Sequence, residues 1–110
     1  GNECCLCHLA AGTFSHLVDS CPETERLRSR DMTLAEWDSL PGCVRYHGIA
    51  PAGEDFMPQR YKDMGEDGKA ALMAEVQYVL LVIVDMQQQA LGEMPQPRWV
   101  RNQRQRTGEA

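Results

Sequence analysis

The chain has 110 residues and a net charge of −5; 43% of it is hydrophobic, yet only seven residues are Phe, Trp or Tyr. That admits one small domain with a core mainly of Leu, Val, Ala and Met, a size at which a bound metal commonly supplements packing. Residues 1–94 hold 15 acidic and 7 basic side chains, whereas residues 95–110 hold four Arg and one Glu, so bulk charge excludes the body, but not the tail, as an attractor of nucleic acid.

Residues 1–30 contain four of the five cysteines. Within CCLCH (4–8) two chemistries compete for the same sulfurs. Cys4, Cys7 and His8 spell C-x-x-C-H, the attachment signature of a c-type haem. Cys4 and Cys7 with His16 and Cys21 instead spell C-x2-C-x8-H-x4-C, a four-ligand zinc set. Haem needs an oxidising compartment, an apolar pocket and a second axial ligand, for which Met57 or Met64 are the candidates. Only three residues precede Cys4 to wall such a pocket, and His16 and Cys21 are left without a role. Zinc uses all four groups. A C-x2-C turn donates two thiolates, and His16 and Cys21, a little over one helical turn apart, supply the second pair. Gly12 permits the reversal between the pairs, and Pro22 turns the chain at the last ligand. The spacing therefore predicts one structural Zn2+ on Cys4, Cys7, His16 and Cys21. Cys5 is left as a free thiol, and His8 is expected to face solvent.

In the same segment, GTFSHLVDS (12–20) predicts a turn and a short helix capped by Thr13, with Phe14, Leu17 and Val18 on its apolar side. Pro22 opens a second short helical piece. Residues 31–94 read as a helical region. In DMTLAEWDSLPG (31–42), Thr33 and Glu36 have capping-box spacing, and Leu34, Trp37 and Leu40 share a face. CVRYHG adds one more short turn ending at Gly48. Its Cys43 and His47, at i and i+4, read as a partly buried thiol and a surface histidine rather than a metal pair. Residues 49–68 have loop composition, with Phe56, Met57 and Tyr61 to pin them to the body.

KAALMAEVQYVLLVIVDMQQQALG (69–92) is the strongest regular element. Leu72, Val76, Val79, Leu80, Ile83 and Met86 keep a helical rhythm, with Glu75, Tyr78, Asp85 and Gln89 on the opposite side. Val82 falls on that polar side, an apolar surplus. The unbroken apolar run, VLLVIV, is shorter than a spanning helix requires, so no membrane is expected. Residues 95–110 read as a basic flexible tail.

An odd, clustered set of cysteines and the absence of a signal-peptide pattern point to a reducing intracellular compartment, nucleus or cytoplasm.

The stretch C-x-L-C followed by GTFSHLVDSCPETERLR resembles the CCHC zinc-binding segment that follows the reverse transcriptase domain in non-LTR retroelement polyproteins. The shared elements are Cys4, Cys7, Thr13, His16, Leu17, Cys21 and Pro22, within residues 4–30. The gap before the histidine is eight residues, unlike the four of retroviral nucleocapsid knuckles. The resemblance implies a non-catalytic appendage of a parent polymerase polyprotein that helps hold RNA or DNA. The chain departs from a whole polymerase in lacking a Tyr-x-Asp-Asp motif and a ribonuclease H acidic cluster, and its body is acidic. The candidate nucleic-acid contacts are Arg98, Trp99, Arg101, Arg104 and Arg106, which combine cations with one stacking surface. The competing expectation is a zinc-stabilised protein-interaction module that offers the apolar surplus of helix 70–91.

Overall fold

Helices supply the regular structure in the computed structural model, which describes residues 2–92, as the patterning predicts. Among those residues the only extended pairing is an isolated antiparallel bridge between Glu3 and Ala11. The tail residues Arg98, Trp99, Arg101, Arg104 and Arg106 lie outside the described residues.

Helix α1 (Phe14–Asp19) starts where Thr13 Oγ1 accepts from the His16 N–H at 3.2 Å. A 3-10 turn (Pro22–Thr24) runs into α2 (Glu25–Arg28), so Pro22 does begin the second helical piece. Helix α3 (Leu34–Ser39) carries the capping box: Glu36 N–H donates to Thr33 Oγ1 at 3.0 Å, and Thr33 N–H to Glu36 Oε1 at 2.8 Å. Helix α4 (Gly42–His47) ends at Gly48, in the left-handed conformation. The expected loop 49–68 contains a short helix, α5 (Gln59–Lys62), N-capped by Pro58. The turn residues of that stretch concealed it, because one turn of helix is too short to show a period. Lys69 Nζ pins the preceding loop by donating to the carbonyls of Pro51 and Gly53, both at 2.9 Å.

Helix α6 (Asp67–Gly92) has 26 residues and is about 39 Å long. Its first turn passes so close to α5 that a Cβ on Gly68 would lie 1.8 Å from the Tyr61 carbonyl oxygen. Only glycine fits there. By length and composition α6 could cross a membrane. In this fold its Leu72, Val76, Val79 and Ile83 are fully buried with Leu17, Val18, Trp37, Leu40 and Val44.

Two expectations about α6 need correction. Glu75, placed on the outer face, is only 9% exposed. Arg30 reaches it with two hydrogen bonds, of 2.6 and 3.3 Å, and lies 3.9 Å above the Tyr78 ring. The carboxylate is tolerated inside because a forked cation satisfies it. The apolar surplus is not at Val82, which is half-buried, but at Leu81 and Val84, 71% and 36% exposed.

Candidate metal centre

Cys4 and Cys7 sit on the N-terminal turn, and two short backbone links hold that turn in place. Cys4 N–H donates to the Ala10 carbonyl and Gly12 N–H to the Asn2 carbonyl, both at 2.7 Å. Gly12 is needed here for proximity rather than for an unusual φ: a Cβ would come within 2.9 Å of the Glu3 carbonyl oxygen and 3.1 Å of Cys4 Cα. Inside the knuckle, Leu6 N–H points at Cys4 Sγ (3.4 Å) and Leu9 N–H at Cys7 Sγ (3.5 Å). Each sulfur thus receives an amide donor from two residues downstream.

His16 and Cys21 are delivered by the end of α1. The His16 carbonyl accepts from both Ser20 and Cys21 N–H groups, each at 2.8 Å. The second of these bonds spans five residues and curls Cys21 back over its own helix, ahead of Pro22. The result is a four-group cluster: Cys7 Sγ is 3.3 Å from His16 Nε2, and Cys4 Sγ is 3.9 Å from Cys21 Sγ. All four ligand atoms lie within 4.8 Å of one another. A zinc tetrahedron with Zn–S of about 2.3 Å and Zn–N of about 2.0–2.1 Å has edges of about 3.8 Å (S···S) and about 3.6 Å (S···N). The donor set and both measured edges fit a metal ion of that size. The sulfurs are too far apart for a disulfide, and all five cysteines are free.

His8, the haem-type partner, points away. Its side chain is 63% exposed, with Nδ1 3.6 Å from Glu3 Oε1. Its backbone takes a left-handed φ of 59° to turn the chain out of the knuckle. Glycine adopts that conformation without the Cβ penalty, so His8→Gly is expected to raise the thermal midpoint by the equivalent of up to about 1 kcal/mol. Zinc stoichiometry by native mass spectrometry should be unchanged. Loss of the metal in that variant would make His8 a ligand.

Cys4 and Cys21 are completely buried, whereas Cys7 and His16 are half-buried. Cys5 is half-buried and outside the cluster, and Cys43, expected to be partly buried, is exposed. Burial pushes the Cys21 thiol up to about 11, with the adjacent Cys4 sulfur acting in the same direction. Burial opposes ionisation of Cys4 too, but N–H groups of Cys7 and Leu6 outweigh it and hold Cys4 below its usual 9.0.

A pH trend follows for metal binding. A metal must displace the Cys21 proton at neutral pH, so zinc affinity should rise with pH, about tenfold per unit for each proton released. Chelator competition at a series of pH values measures the trend, and an affinity that does not change with pH would contradict it.

The environment of Cys21 contains residues that spacing rules did not single out. Thr24 Oγ1 donates to the Leu17 carbonyl (2.6 Å) and lies 3.2 Å from the Cys21 carbonyl. Arg28 donates to the Cys21 carbonyl and to the Asp19 carbonyl, both at 2.9 Å. Asp19 itself is held by Arg45, at 2.7 Å, and by the Tyr46 hydroxyl. No sequence signal marks Arg28, because its burial is set by the fold.

Compared with known proteins, the chain matches no family model, no curated protein and no solved structure.

Proposed function

We propose that the chain is a structural zinc-binding module in which Cys4, Cys7, His16 and Cys21 hold one Zn2+. The convergence of these four groups within 4.8 Å carries the reading. Three thiolates and an imidazole suit zinc, and four protein ligands leave no open position for a reactive water, so the role is architectural. The metal would tie the N-terminal knuckle to α1 and thereby to the helical body.

The resemblance to the CCHC segment of non-LTR retroelement polyproteins supports placing this module beside a reverse transcriptase, itself non-catalytic, in an intracellular setting. RNA or DNA binding then falls to Arg98, Arg101, Arg104 and Arg106 around Trp99. Native mass spectrometry with an absorption spectrum tests the metal: one zinc per chain without a Soret band is the expected result, and a zinc-free folded protein overturns it. Nucleic-acid titration tests the partner. Four tail arginines should give a log–log salt slope of about −3 to −4, abolished when all four are replaced. The exposure of Leu81 and Val84 favours the alternative, a protein-interaction module, which salt-insensitive self-association lost in Leu81→Asp would support.

A further inference from the structure

We infer that Arg28 is the built-in counter-charge of the metal centre; the inference rests on the zinc reading above. A zinc ion with three thiolates and a neutral imidazole carries a net charge of about −1. Two of the three sulfurs, those of Cys4 and Cys21, are completely buried. An excess charge inside a small core is costly unless an opposite charge shares the low-dielectric region.

Arg28 is the one buried cation among the described residues, at 5% exposure. Its donors go entirely to uncharged oxygens: Nε to Thr24 Oγ1 at 3.2 Å, Nη1 to the Asp19 carbonyl and Nη2 to the Cys21 carbonyl, each at 2.9 Å. No carboxylate among the described residues lies within ion-pair distance of it. The nearby Asp19 carboxylate is engaged by Arg45 and Tyr46. By itself this is an uncompensated buried charge, the counterpart of the one the zinc centre creates. The two meet at a single residue, because the guanidinium rests on the backbone carbonyl of ligand Cys21. Each charge accounts for the presence of the other.

The test separates charge from propping. Arg28→Gln removes the charge but keeps N–H donors, whereas Arg28→Lys keeps the charge but loses the planar fork. Zinc affinity is measured on the full chain by chelator competition, with Co2+ spectra reporting tetrahedral geometry. Arg28→Gln should weaken binding about 10- to 100-fold, and Arg28→Lys clearly less. The same pair is then compared in two backgrounds that change the charge of the site. Cys7→His makes the centre neutral and should shrink the Arg28→Gln penalty; His16→Cys makes it doubly negative and should enlarge it. An equal penalty in all backgrounds, or none, overturns the inference while leaving the zinc reading intact. If the unaltered chain binds no zinc, both fall. Should Arg28→Gln not fold, Arg28→Lys decides alone: affinity within a few-fold of the unaltered chain upholds the charge role, and a loss as large as the 10- to 100-fold range overturns it.

Discussion

Cys21→Ser protein is expected to emerge without zinc and with residues 4–30 no longer protected from amide exchange. The effect is large because two contributions vanish together. A serine hydroxyl stays protonated near neutral pH and replaces a thiolate poorly, so the ion is left with three protein ligands. Structural zinc sites of this type contribute about 10–16 kcal/mol of binding energy that is also folding energy. The knuckle has little else to hold it: the two backbone links that make the Glu3–Ala11 bridge, a turn bond from His8 N–H to the Cys4 carbonyl, and the burial of Cys4 and Leu6 against the core. Helices α4 to α6 should keep more of their protection, since α6 packs against both α5 and α4. Cys5→Ser is the control and should retain one zinc per chain, because Cys5 is outside the cluster. Full zinc occupancy in Cys21→Ser would sink the ligand assignment.

Trp37→Ala is expected to cost about 3–5 kcal/mol, a large share of the roughly 5–15 kcal/mol available to a small domain. Trp37 is completely buried at the centre of the core, and its indole Nε1 donates to the Val18 carbonyl at 2.9 Å. That bond joins α3 to the helix that carries His16. Trp37→Phe keeps most of the apolar volume but leaves the Val18 carbonyl unsatisfied, an expected loss of about 1–3 kcal/mol. Urea unfolding of the zinc-loaded variants measures both. Zinc affinity should fall in step with stability, because α1 is held on one side by the metal and on the other by Trp37. A Trp37→Ala protein as stable as the parent would mean that α1 and the knuckle do not depend on the body.

Much of the candidate site is legible in local residue spacing. The two ligand pairs are local, C-x2-C on a tight turn and H-x4-C around a helix end, so spacing alone brings each pair together. Thr13 and the Thr33–Glu36 box were readable for the same reason, since caps act within four residues. The rhythm of residues 69–92 survived because a long helix repeats its pattern often enough to be recognised. Helix α5 did not survive that reading, being a single turn among prolines and glycines.

What spacing could not supply depends on partners far away in the chain. Glu75 reads as a surface acid until Arg30, 45 positions earlier, is seen to neutralise it. Gly12 reads as a flexible turn residue until the Glu3 carbonyl is found where a side chain would stand. Arg28 reads as one more basic residue on a polar helix until its burial and its three uncharged acceptors are known.

The amino-acid sequence by itself determined the helical class, the caps and the convergence of the four candidate Cys and His ligands, because each follows from interactions between residues a few positions apart. The folded chain decided which way each face points: Glu75 inward, Leu81 and Val84 outward, His8 away from the sulfurs and Arg28 towards the carbonyl of Cys21. Burial and charge compensation depend on everything packed around a group, and that environment exists only once α6 lies against α1 and α4.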